Sequence, residues 1–136
     1  FGELPSETLR RRRVYEASHT YKLEGVDQYL TLIEQDHQRF YKAYVADRLD
    51  GEWRPLADTA ERPFASWHNI QPAPGVEPWT DNISHGELIR DSNDETLAVD
   101  PGNLRFLFQG MLEEDKADKG YGAFQWRLGL LTPKGR

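Results

Sequence analysis

The chain has 136 residues, 38% of them hydrophobic and 12% aromatic, which is enough apolar material for one folded domain and argues against a disordered segment. Its net charge of -6 and pI near 5.2 exclude the basic footprint with which proteins neutralise nucleic-acid phosphates. The absence of cysteine excludes disulfide, zinc-thiolate and thiol-nucleophile chemistry, and no apolar run nears the ~18 residues of a membrane span.

The start at Phe1 carries no basic-then-apolar leader pattern, so the chain is expected to be a processed product or part of a longer coding sequence. Arg10 to Arg13 then form a run of four cations. Standing alone in an acidic chain, next to a strand-like segment, this run reads as a solvated edge rather than a heparin or phosphate patch. From Val14 to Tyr21 the period is that of an extended strand, with Val14, Glu16, Ser18 and Thr20 expected on one face and Tyr15, Ala17, His19 and Tyr21 on the other. A break at Glu24-Gly25 leads to residues 28–33 (QYLTLI), too short and too rich in β-branched and aromatic residues for a helix, hence a central strand. A polar turn is expected over residues 34–38, then a strand over 39–46, then Asp50-Gly51 as a tight hairpin supplying positive φ, with Trp53 and Leu56 on the returning strand.

Between Glu61 and Asp81, Pro63, Pro72, Pro74 and Pro78 rule out a long regular element. This stretch reads as a structured loop in which Trp67 and Trp79 need burial or a ligand. Strand signals resume at 87–90 (ELIR), 96–99 (TLAV), 104–109 (LRFLFQ) and 124–131 (FQWRLGLL), with residues 113–120 as a charged surface loop. The fold class is therefore all-β. Short antiparallel strands suit a sandwich, a barrel or a propeller, and at about 40–45 residues per blade the chain would hold about three blades, fewer than closure needs.

Six segments, in this order, carry a more specific signal: 14–22 (VYEASHTYK), 28–34 (QYLTLIE), 49–56 (LDGEWRPL), 83–90 (ISHGELIR), 103–110 (NLRFLFQG) and 126–132 (WRLGLLT). Together they resemble the second half of the α-L-arabinofuranosidases of glycoside hydrolase family 62, and the resemblance covers essentially the whole chain. It implies that residues 1–136 are the C-terminal portion of a single catalytic domain, the later blades of a five-bladed β-propeller, incomplete in this chain. It further implies a secreted enzyme that removes L-arabinofuranosyl side groups from arabinoxylan with inversion. Inversion requires two carboxyl groups roughly 6.5–9.5 Å apart, one protonating the leaving oxygen and one activating water. The resemblance places the acid at Glu16 and the base and an acid-tuning carboxylate on Asp residues of the earlier half. That N-terminal half is expected as a second chain or a missing segment.

The resemblance also places His85 on a central channel near a calcium ion and Tyr121 on the substrate, with Arg90 as a second substrate contact that orients the pocket together with Glu87 of the same motif. One imidazole is a poor calcium site, since that ion prefers six to eight oxygens, so water must supply the remainder. Each residue has a plainer reading: Glu16 as a solvent-facing strand residue, His85 as a core histidine, Tyr121 as a loop tyrosine, and Glu87 with Arg90 as a strand-end ion pair. If Glu16 is the acid, the arginine run must point away from it, because neighbouring cations depress a carboxyl pKa. Gly122, Gly102, the order Asp81-Asn82 and the arginine run depart from the family pattern and bear on substrate preference more than on fold. His19, His37 and His68 have no zinc spacing, Ser18 beside His19 makes no triad, and there is no phosphate loop. The competing expectation is a non-catalytic β-rich carbohydrate-binding or interaction module.

Overall fold

The computed structural model describes residues 16–35 and 38–134. Val14, Tyr15, the arginine run and His37 lie outside the described residues. The chain folds into two antiparallel sheets, as its period-2 patterning predicts. The first has the order β1 (Glu16–Lys22), β2 (Tyr29–Gln35), β3 (Phe40–Ala46), β4 (Arg54–Ala57); the second has the order β5 (Ser84–Leu88), β6 (Phe106–Met111), β7 (Trp126–Leu131). A six-residue helix, α1 (Glu113–Asp118), and a 3-10 turn (Tyr121–Ala123) separate β6 from β7. No helix among the described residues is long and apolar enough to cross a membrane.

The central strands are the most apolar. On β2, Leu30 and Leu32 face one way and Ile33 the other, and all three are buried. Leu30 and Leu32 join Tyr21, Tyr41 and Ala43 in a core shared with Ile83, Leu88, Phe106 and Phe108 of the second sheet. Ile33, Tyr44, Ala46 and Trp53 form a smaller cluster on the opposite face. Full burial of each such aliphatic side chain is worth about 1.5–3 kcal/mol. The sheets are also joined by hydrogen bonds: Tyr41 Oη accepts from Gly86 N at 2.6 Å, and Tyr21 Oη accepts from Leu88 N at 3.0 Å. Both phenols lose their water, and burial pushes the Tyr21 hydroxyl up to about 12 and Tyr41 higher still. Gly86 allows this approach, because a Cβ there would run into the Phe106 ring.

Several sequence expectations need correction. Residues 96–99 form no strand; Val99 makes only an isolated parallel bridge to Leu23. Residues 113–120 are partly helical, because Glu113, Glu114 and Asp115 sit in the first turn, where the helix dipole favours negative charge. Lys116 pairs with Glu113 at 2.8 Å and Lys119 with Asp115 at 2.6 Å, which supports the short helix further. The β3–β4 hairpin forms, yet Gly51 is absent from the positive-φ positions: the turn closes through Gly51 N to Arg48 O at 3.0 Å, while Gly25 takes φ 73°. Blade-length arithmetic anticipates about three units where the described residues form two sheets, because the proline-rich stretch before β5 makes isolated bridges but no ladder.

Candidate active site

The site lies at one rim, where β1 begins, β2 ends, and β3 and β5 begin. Antiparallel pairing brings the first three of these strand ends together, placing Glu16 directly across from Glu34. Simple alternation puts Glu16 on the face of Ser18 and Thr20. The structure corrects this, because three steps on β1, from Glu16 to His19, oppose two on β2, from Glu34 to Leu32. The extra residue is a β-bulge in which Ala17 adopts φ 44°, and it moves Glu16 onto the face shared by Tyr21, Leu32 and Glu34. A second bulge, between Ser84 and Glu87 on β5, holds His85 at φ 41°. Arg39, at φ 51°, precedes β3. Three of the four non-glycine residues with positive φ among those described therefore border this rim, and such strain, about 1–3 kcal/mol each, gathers at functional sites.

Glu34 is fully buried, which the sequence reading missed by assigning it to a polar turn. Its carboxylate accepts hydrogen bonds from Ser84 Oγ at 2.7 Å, His85 N at 2.8 Å and Arg39 Nη1 at 3.2 Å. The signal was present: Glu34 continues the Leu30, Leu32 face, and a carboxylate in phase with buried leucines must find partners. Ser84 has a single hydroxyl proton, and since it goes to Glu34, the oxygen accepts from His85 Nδ1–H at 3.0 Å. His85 Nε2 is thereby turned toward Glu16 Oε2, 3.9 Å away. Glu16 and His85 are each about half exposed, at 50% and 48%, so both are reachable from solvent.

Glu16, Glu34 and His85 bring one ligand atom each within 4.8 Å of one another. By themselves these donors do not fit calcium. Glu34 is already engaged by three donors, one of them a guanidinium, leaving one carboxylate and one imidazole nitrogen where six to eight oxygens are preferred.

Tyr121 stands at the same rim, 62% exposed, with its hydroxyl 3.1 Å from Arg39 Nη2 and its ring edge-on to Trp126 at 6.4 Å. Partial burial works against the Arg39 charge, but its hydrogen bonds to Glu34 and Tyr121 outweigh this and hold the guanidinium above its ordinary pKa. Arg90 is not brought to this cluster. It follows the other end of β5, five residues past His85 or roughly 16 Å at strand rise, and pairs with Glu87 at 3.4 Å. Sequence reasoning singled out Glu16, His85 and Tyr121 at this rim, and missed Glu34, Arg39 and Ser84.

Residues 4–132 match the family described as Glycosyl hydrolase family 62. Over 123 residues the chain is 43% identical to Alpha-L-arabinofuranosidase C of Cellvibrio japonicus (strain Ueda107), covering 89% of this chain and 19% of that protein. Among solved structures it is similar to the catalytic domain of the Coprinopsis cinerea GH62 α-L-arabinofuranosidase, with a TM-score of 0.79, 40% identity, and coverage of 88% of this chain and 38% of that one. A Podospora anserina α-L-arabinofuranosidase solved with cellotriose has a TM-score of 0.78 and 40% identity, covering 90% of this chain and 38% of its own. The chain thus spans about a fifth of the curated relative and 38% of the solved chains.

Proposed function

Because the chain belongs to glycosyl hydrolase family 62, we propose that it supplies the general-acid side of an α-L-arabinofuranosidase that removes arabinofuranosyl groups from arabinoxylan with inversion. Glu16 is the proton donor to the leaving oxygen. The observation that carries this reading is the β1 bulge, which turns a half-exposed carboxylate onto the inner face beside His85 and Glu34.

Glu34 does not suit the second carboxyl role. Its side chain is fully buried and its carboxylate accepts three hydrogen bonds, so it can neither activate water nor attack an anomeric carbon. It also lies too close to Glu16, since inversion needs roughly 6.5–9.5 Å for the intervening water. The base and the acid-tuning carboxylate are accordingly assigned to Asp residues outside this chain, in the N-terminal portion of the same five-bladed propeller, to which the two sheets contribute later blades. Tyr121 offers the sugar chain an amphipathic ring. Calcium stays in the proposal in a narrow form: His85 is one ligand of a hydrated ion whose oxygens come from water and from outside the described residues. A secreted location is consistent with a polymeric substrate.

The test joins this chain to the portion carrying the Asp residues and measures arabinose release from arabinoxylan. Glu16→Gln should lower the rate about 10²- to 10⁴-fold, the usual worth of a positioned acid, without altering cooperative unfolding. Unchanged release would remove Glu16 from the acid role. The alternative, a non-catalytic carbohydrate-binding or interaction module, has in its favour the exposed Trp67 (54%), which borders a groove of about 480 Å³. It would be preferred if the joined protein bound arabinoxylan but released no arabinose.

A further inference from the structure

Tyr121 sits in a 3-10 turn between Gly120 and Gly122, closed by Ala123 N to Gly120 O at 2.8 Å and Phe124 N to Tyr121 O at 3.3 Å, with its ring edge-on to Phe124 at 5.7 Å. The rim adds restraint from residues remote in sequence. Arg39, whose side chain is 17% exposed, places one nitrogen on the buried Glu34 at 3.2 Å and on Ser84 Oγ at 3.4 Å. Its other terminal nitrogen donates to the Tyr121 hydroxyl at 3.1 Å, across 82 positions of sequence. The guanidinium carbon also lies 5.9 Å from the Tyr121 ring centre and 5.8 Å from that of Trp126, within cation–π range. The backbone beneath Arg39 is anchored as well, with its carbonyl accepting from Ile83 N at 2.9 Å.

We propose that Arg39 is a positioning residue: it transmits the fixed geometry of the buried Glu34 carboxylate to Tyr121, and so sets the aromatic surface on which the polysaccharide backbone rests. The inference rests on the reading of Tyr121 as a substrate contact. A planar fork suits the task because its two terminal nitrogens hold two partners at a fixed separation. Lysine in its place keeps the charge beside Glu34 but cannot keep both partners at once. Arg39 touches no reacting atom, so its removal acts on how the backbone is held and not on the bond being broken.

The experiment compares Arg39→Lys, Tyr121→Phe and the double variant in the joined enzyme, reading kcat and KM on arabinoxylan, xylotriose affinity by calorimetry, and amide exchange over residues 120–126. Arg39→Lys should raise the arabinoxylan KM and weaken xylotriose about three- to tenfold, the worth of one hydrogen bond, with kcat changed less than twofold and exchange at 120–126 faster. The double variant should be no worse than the more affected single, since both break one link. Unchanged KM, multiplicative losses, or an equal fall in kcat with loss of cooperative unfolding would each overturn the proposal, the last by making Arg39 merely structural. Absence of arabinose release from the unmutated enzyme would instead defeat the functional reading, while xylotriose affinity and amide exchange still decide the Arg39 link.

Discussion

Among the carboxylate–guanidinium pairs of the described residues, one stands at each end of β3, and the chemistry of the two is nearly the same. At the inner rim Arg39 meets Glu34 at 3.2 Å; at the outer hairpin Arg54 meets Asp47 at 2.9 Å, with a second contact at 3.1 Å. By distance the outer pair is the better one. By burial the order reverses: the Glu34 side chain is fully buried, whereas the outer partners are 45% and 63% exposed. An exposed pair exchanges one set of water contacts for another, while a buried carboxylate has only its protein donors to replace its hydration. Glu34 has therefore recruited Ser84, the His85 backbone and Arg39, and the site is built around it.

Removing one partner from each pair tests the contrast most directly. Glu34→Ala should destabilise the fold by about 3–5 kcal/mol, since it strands a partly buried guanidinium and leaves Ser84 Oγ and His85 N without their acceptor. Thermal unfolding measures this, and a shift of a degree or less would mean that the rim tolerates an unpaired Arg39. Next in size is an alkaline effect on the inner side. The Tyr21 phenol ordinarily ionises at 10.0 and is raised to about 12 by burial, so its contribution is complete below pH 10 and is lost as pH rises from 10 through 12. Two units correspond to about 3 kcal/mol, which denaturant titration against pH should register on top of the loss from Tyr41, raised further still, so Tyr21→Phe should reduce the alkaline slope without abolishing it. An unfolding midpoint indifferent to pH across this window would contradict the buried phenol. Smallest is the outer pair. Arg54 and Gln28 hold Asp47 down at about 2, so whatever it contributes is present above its ordinary value of 3.8 and lost as pH falls toward 2. Asp47→Asn should leave the unfolding midpoint at neutral pH within error, and a shift as large as that of Glu34→Ala would erase the distinction between the two pairs.

Much of this arrangement was legible in residue order. Alternating apolar and aromatic residues mark β2, β3 and β6, prolines mark the long loop, and Glu16, His85 and Tyr121 fall within or beside recognisable segments. What escaped was phase and partnership. Glu16 sits on the opposite face from the one that alternation assigns, because a single inserted residue in β1 advances the period by one, and nothing in Glu16-Ala17-Ser18 marks Ala17 as the residue that takes positive φ. Glu34 was passed over because a glutamate beside Gln35 looks like the start of a turn; only its phase with Leu30 and Leu32 marks it as buried. The six-residue helix at Glu113–Asp118 is too short to show a stripe.

The sequence by itself determined the all-β class and the order of most of the strands, because strand periodicity and turn chemistry are local properties, whereas Glu16 became an acid candidate only through the family resemblance. Only the tertiary structure decided which way Glu16 faces, that Glu34 is the buried centre of the rim, and that Arg39 reaches Tyr121. These depend on bulges and on contacts spanning 50 to 82 positions. Packing two sheets together sets such contacts, and no local pattern encodes them.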